Sequence, residues 1–162
     1  MRFFDADTMG PVFDQAIQST DALLFGRRTW QTMAAAWPRR AGDPFADRMN
    51  EMPKYVASRT LSDEDLHWTN SRLLPADDAL GAIRDLRAGD GGDIQVMGSS
   101  ALAAQLISND LVDEYRFMLE PILLGGGKRL FPEDGKARKL ELVSTSTSST
   151  GVLICHYRSA TG

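Results

Sequence analysis

The chain has 162 residues, 43% of them hydrophobic and 25% charged, which is the length of one domain with enough apolar side chain to build a core, and this excludes a disordered chain. The formal charge is -4, with 18 Lys and Arg spread along the chain, so the broad basic face that nucleic-acid binding requires is not expected. The single cysteine, Cys155, excludes an internal disulfide and a CxxC zinc site, and neither a signal-peptide core nor a membrane-length apolar run occurs; the reading is one soluble, cytoplasmic domain over residues 1–162, with no membrane partner.

From Gly10, GPVFDQAIQST sets Val12, Phe13, Ala16 and Ile17 on one face at helical spacing, with Pro11 suited to a first turn. ALLFG follows as a short apolar strand ending in glycine, then RRTWQTMAAA as a helix that Pro38 stops. The polar stretch from Arg39 to Pro53, with Gly42 and Pro44, reads as a surface loop before a strand from Lys54 to Ser58. A weaker strand is expected over Ser71 to Leu74. After Pro75, Ala79, Leu80, Ile83 and Leu86 share a helical face, with acids at the start and Gly89 as the stop. DIQVMG reads as a strand, SSALAAQLISND as a serine-capped helix and VDEYRFMLEP as a longer strand, an order that implies a parallel β-α-β pair. Lys139 to Thr147 and Gly151 to Arg158 then form an antiparallel hairpin around Ser148, Ser149 and Thr150 at a sheet edge. Together these elements describe an α/β fold with a mixed, mostly parallel sheet, flanking helices and a C-terminal antiparallel hairpin.

Three strand ends pass from an apolar run into small or hydroxylated residues: Gly26-Arg27-Arg28-Thr29, Ser58-Arg59-Thr60 and Gly98-Ser99-Ser100. In an open α/β sheet ligands collect at the carboxyl ends of the strands. The first and third of these segments also open a helix, whose free N–H groups and positive dipole end suit an anion. Glycine at 26 and 98 lets backbone approach a phosphate closely, and arginine grips phosphate oxygens in pairs. Taken singly, each is equally well a tight turn with solvated arginines; the ordered series is what points to a phosphate-bearing ligand.

The ordered segments ALLFGRRTW, PKYVASRTL, DIQVMGSSAL, LVDEYRF and PILLGGGKRLF resemble the dihydrofolate-reductase-like superfamily, in particular the C-terminal reductase domain of the bifunctional riboflavin-biosynthesis deaminase-reductase and its stand-alone relatives. The resemblance runs from about Asp21 to Phe131 and extends through the terminal hairpin to Tyr157. It implies that Gly26, Arg27, Arg28 and Thr29 hold cofactor phosphates, that Ser58, Arg59 and Thr60 surround an adenosine 2'-phosphate, and that Gly98, Ser99, Ser100, Ala101 and Leu102 meet a pyrophosphate. The implied cofactor is NADPH rather than NADH, because two stations carry arginine. The implied activity is reduction of a small pterin-, pyrimidine- or flavin-related substrate, the cofactor carrying the hydride. A homodimer is expected as well, since relatives commonly pair and the strand from Val112 to Glu120, with the hairpin beyond Lys139, offers apolar and β-branched surface.

Other reactive residues add little. Gly125-Gly126-Gly127-Lys128 fails the GxxxxGK[ST] pattern at Ile122 and Arg129, and PILLGGGKRLF reads as a loop in which Lys128 is either a substrate contact or a plain surface lysine. Trp30 and Trp37 read as packing groups, Cys155 as a core residue, and Asp113-Glu114 as a solvated turn at a strand entry. Asp14 lies on the helix that carries a carboxylate in dihydrofolate reductases, but its spacing to Gly26 differs, so no catalytic acid is assigned. Relatives also begin with an apolar strand and a Ser-Leu-Asp-Gly-like turn that form a central sheet position and one wall of the pocket; this chain has neither, and an element of roughly 25 residues, a strand with its connections, is missing. Residues Met1 to Thr8 with the neighbouring strands, a second copy of the chain, or a natural product that begins upstream of Met1 are the ways to complete the sheet, and the last is the expectation; a catalytically inactive NADP(H)-binding module and a fold relative that binds nothing are the competing readings of function.

Overall fold

A computed structural model describes residues 5–160. Helix α1 spans Ala6–Gln18, strand β1 Thr20–Gly26 and helix α2 Arg27–Ala36. Asp5 caps α1 by accepting from the Asp7 N–H, so the helix begins a turn earlier than its apolar spacing suggests and Pro11 lies inside it. The stretch from Arg39 to Pro53, expected as a loop, instead holds helix α3, Pro44–Glu51. Asp43 accepts from the Phe45 and Ala46 N–H groups and Pro44 takes the first helical position, where its missing N–H costs nothing. Ala46, Met49 and the following Met52 are buried, so tertiary contact holds a helix too short to persist alone.

Beyond it come β2 (Lys54–Ala57), β3 (Ser71–Leu73), α4 (Ala79–Ala88), β4 (Asp93–Gly98), α5 (Ser100–Ser108), β5 (Glu114–Leu119), β6 (Leu140–Thr147) and β7 (Leu153–Ser159). The strands divide into two sheets. The first is parallel, in the order β3-β2-β1-β4; the second is antiparallel, in the order β5-β7-β6. The parallel pair expected from the β4-α5-β5 order therefore does not form: β4 pairs only with β1 and β5 only with β7 among the described residues.

Strand β1 is the centre of the parallel sheet, and all its residues but Asp21 are buried. Leu23 and Phe25 face a core with Trp30, Met49, Val56 and Trp68 under α2 and α3, while Leu24 faces a second core with Leu74, Ile83, Leu102 and Leu106 under α4 and α5. Such two-sided burial is what a parallel strand needs. A third cluster, Met9, Val152 and Ile154 with Val12 and Phe13, seats the first half of α1 on the antiparallel sheet, whereas Ile17 near its other end joins the α2–α3 core. Helix α1 thus bridges both sheets. Trp30 and Trp37 pack as expected, Trp30 donating to Ser71 Oγ at 3.0 Å and Trp37 lying against Phe45. No helix among the described residues is long and apolar enough to cross a membrane.

Candidate functional site

The carboxyl ends of β2, β1 and β4 lie side by side, with Gly26 opposite Ala57 and Phe25 opposite Gly98. This register brings all three sequence-predicted stations to one end of the parallel sheet. Gly26 ends β1 and caps α2 with no side-chain hydrogen bond, so the first-turn N–H groups of α2 have no capping acceptor. Ser99 caps α5, its Oγ accepting from Leu102 N at 3.4 Å. Ser58 Oγ accepts from the Thr60 and Leu61 N–H groups at 3.1 and 3.0 Å, which folds the segment after β2 back on itself.

The glycines are required by close approach. A Cβ on Gly26 would lie 2.6 Å from Ser99 Oγ, and one on Gly98, whose φ is +121°, would lie 3.1 Å from Thr29 Oγ1. The Gly98-Ser99 peptide is cis. The first turns of α2 and α5 therefore meet across two positions without side chains, and two positive helix ends face a common groove.

Arg27 is half-buried and Arg28 and Arg59 are exposed. None of the three guanidinium groups has a hydrogen-bond or ion-pair partner among the described residues, unlike those of Arg87, Arg116, Arg138 and Arg158, which all pair with carboxylates. Thr60 follows β2, and Ser100 and Ala101 open α5 at the same end of the sheet, while the Leu102 side chain is buried in the α4–α5 core, so only its backbone can face a ligand. A cavity of about 540 Å³ lies elsewhere, between the end of α4 and the α5–β5 link at the amino ends of the strands, lined by Arg84, Arg87, Asn109, Asp110 and Asp113.

The remaining candidates scatter. Asp14 is exposed on α1, and Lys128 is exposed in the segment between β5 and β6. His67 packs edge-on against Trp30. Asp113 and Glu114 are not a plain solvated turn: Asp113 pairs with Arg87, and Glu114 gathers His156, Arg116 and Arg158. Burial pulls the Glu114 carboxyl up, but the hydrogen bonds from His156 and Arg158 outweigh it and hold it below the usual range. Among the described residues no group of three or more His, Cys, Asp or Glu is placed to hold a metal ion.

Sequence reading missed Lys54, the first residue of β2, the strand that leads to Ser58. Its Nζ is buried and donates to Asn50 O, Met52 O and Thr69 O at 2.8, 2.7 and 2.9 Å, and it sits 4.5 Å above the Trp68 ring. Burial pushes its pKa down to about 8. The lysine ties the end of α3 and the entry to β3 onto β2 and so sets where the Ser58–Thr60 segment projects. A lysine at a strand start carries no local signal of burial.

The RibD C-terminal domain model matches residues 6–154. The chain belongs to the RibD C-terminal domain family. It is 30% identical over 146 residues to the uncharacterized protein YyaP of Bacillus subtilis (strain 168), covering 87% of this chain and 75% of that protein. Among solved structures it is similar to a Shewanella sp. PV-4 protein named for riboflavin biosynthesis, with a TM-score of 0.73 and 19% identity over 98% of this chain and 81% of the other. A pyrimidine reductase-like protein from Corynebacterium diphtheriae aligns with a TM-score of 0.64 and 14% identity over 99% and 84% of the two chains. At such identities these neighbours establish the dihydrofolate-reductase-like fold, and membership of the family supports a reductase-type function.

Proposed function

We propose that the chain is an NADPH-dependent reductase that delivers a hydride to a small pterin-, pyrimidine- or flavin-related heterocycle. The reading is carried by the convergence of Gly26, Ser58 and Gly98 at one sheet end beside three arginines without carboxylate partners. Gly26 and Gly98 let the first turns of α2 and α5 pack side by side, which sets their first-turn N–H groups where phosphate oxygens would be held. Arg27, Arg28 and Arg59 supply the positive charge for a pyrophosphate and a 2'-phosphate. NADPH, when bound, supplies the hydride; the protein's part is to anchor its phosphates and orient the nicotinamide.

A side-by-side titration with NADPH and NADH, followed by NADPH consumption with a panel of such heterocycles, tests the reading. Tighter binding of NADPH with turnover of one compound supports it, and no binding of either cofactor at millimolar concentration overturns it. Saturable NADPH binding without consumption favours the second reading, an NADP(H)-binding module, which the gap between the two sheets beside Gly98 recommends.

The same proposal covers location and assembly: a cytoplasmic homodimer. Met118, Leu119, Ile122, Leu123, Leu124, Phe131, Leu142, Val143 and Leu153 are the exposed large hydrophobics among the described residues, and all fall between residues 118 and 153. An apolar surface confined to one part of a small protein marks an interface. Light scattering is expected to give twice the chain mass, and Leu142→Asp to return it to the monomer; a parent that is monomeric at micromolar concentration removes the claim.

A further inference from the structure

Residues 120–139 carry the chain across the antiparallel sheet. Strands β5 and β6 both pair with β7, Leu119 lying opposite Leu153 and Leu140 opposite Ser159, so the segment runs from the carboxyl end of β5 to the amino end of β6. The face it crosses is aromatic. Tyr115 and Phe117 point to the same side of β5 with ring centroids 5.7 Å apart, and Tyr157 of β7 stands 6.4 Å from Phe117. Two anchors fix the crossing: Phe131 meets Phe117 edge-on at 5.6 Å, and Arg138 donates to both oxygens of Asp134 at 3.1 and 2.9 Å and to Asp110 Oδ1 at 3.1 Å.

Between these anchors the segment leaves a cavity of about 190 Å³. Ile107 in the last turn of α5 and Tyr115 of β5, both buried, line it from the body of the protein. Phe131 and Pro132 of the crossing segment and Leu140 at the start of β6 complete the apolar lining. The cavity is separate from the groove at the carboxyl ends of the parallel strands. Helix α5 begins at that groove with Ser100 and rises about 1.5 Å per residue, which sets Ile107 on the order of 10 Å further along.

Two cations line the polar side of the cavity, and they differ in standing. The charge of Arg138 is committed to Asp134 and Asp110. That of Lys136 is not: its Nζ has no hydrogen-bond or ion-pair partner among the described residues. The turn that places this lysine is defined, since Asp134 Oδ1 accepts from Lys136 N at 3.1 Å and Gly135 takes a φ of +70°, a left-handed position that suits glycine. The cavity beside the end of α4 differs in this respect, because its two arginines already donate to Asp113 and Asn109.

Aromatic and aliphatic walls favour a flat apolar ring, which they take out of water. A cation without a counter-ion beside them favours a ligand that brings its own negative charge. Phosphate and sulfate are better served by several donors in a fork; one ammonium next to apolar walls matches a carboxylate. The volume, about 190 Å³, is below the roughly 300–1,000 Å³ of sites for drug-sized ligands, which leaves room for a single ring. We infer that this cavity is a binding site for a small aromatic carboxylic acid, whose ring lies among Ile107, Tyr115 and Phe131 and whose carboxylate pairs with Lys136. The inference does not depend on the cofactor reading.

Benzoate is the probe, with benzyl alcohol as the neutral ring and acetate as the charge without a ring. The readout is the amide chemical shifts of the isotopically labelled chain, with no cofactor present. Benzoate is expected to shift the amides of Ile107, Tyr115 and residues 133–140 saturably, with a Kd on the order of 1 mM, as suits a ligand of that size. Benzyl alcohol should bind several-fold more weakly, and acetate should leave these amides unmoved. Lys136→Met keeps the aliphatic stem and should weaken benzoate about three- to tenfold, the loss of a charge pair at a partly exposed site, while benzyl alcohol binds as in the parent. Absence of saturable shifts at these amides up to about 20 mM benzoate refutes the site. Equal shifts with acetate, or an unchanged benzoate affinity in Lys136→Met, refute it as well. An affinity for benzoate that falls as the protein is diluted overturns a pocket of one chain in favour of a seam between two copies.

Discussion

Replacing Lys54 with methionine keeps the aliphatic stem of a fully buried side chain and removes its ammonium group. Three backbone carbonyls, those of Asn50, Met52 and Thr69, then lose their donor. A hydrogen bond to a charged group contributes about 1.5–3 kcal/mol, so the three together hold roughly 5–9 kcal/mol. Removing the buried charge returns several kcal/mol of its desolvation cost. The balance is a loss of about 3 kcal/mol, or about 6–12 °C in Tm for a domain of this size. Thermal unfolding followed by circular dichroism measures it, and a Tm within about 2 °C of the parent would mean that the carbonyls find other partners and that Lys54 is no hub. The pH dependence gives a second check. Burial lowers the folded-state pKa to about 8 from 10.5, so between those values the unfolded chain binds more protons, and on account of Lys54 stability rises with pH through this window. The advantage of the parent over Lys54→Met should therefore widen as pH rises from about 8 to 10.5; a constant or narrowing difference from about pH 7 to 11 refutes the assignment.

At the groove, Arg27→Ala, Arg28→Ala and Arg59→Ala should each weaken NADPH binding about ten- to hundredfold, the loss of one charge-assisted phosphate contact; three variants that bind like the parent in a calorimetric titration would remove the site. Gly98→Ala forces a side chain to a φ of +121° and against Thr29, and urea unfolding should show a loss of about 1–3 kcal/mol, with an unchanged midpoint speaking against the packed α2–α5 contact. The hydrogen bonds from Ser149 and Thr8 hold the Asp5 carboxyl down to about 2. Its contribution is therefore present above the ordinary carboxylate pKa and is lost as pH falls from about 4 to 2. Asp5→Asn should flatten the acid limb of the stability profile, and an unchanged limb would show that the α1 cap does not titrate.

Much of the fold was legible because it depends on local pattern. The 3.6-residue spacing of Ala79, Leu80, Ile83 and Leu86 and the cap at Ser99 are helix signals in any context, and α4 and α5 lie where those signals place them. Helix α3 carried a signal too, Asp43 followed by Pro44, but it was outweighed by the polar residues around it. The glycine-ended strands were equally readable, since each apolar run stops at a glycine that lets the chain turn tightly into a helix. That three such ends form one groove could be expected from the rule that parallel strands share a carboxyl end.

The sequence by itself determined the family, the elements and the residues at each strand end, because backbone periodicity, capping and turn chemistry act over a few neighbours. Tertiary structure alone decided which strands share a sheet, that Lys54 is sealed under Trp68, that Asp113 and Glu114 anchor ion pairs, and that α1 spans a gap between β4 and β5. A strand edge looks the same in sequence whether it is paired or open. Its partner comes from a distant part of the chain, and only the folded arrangement of those parts shows whether its outward N–H and C=O groups meet another strand.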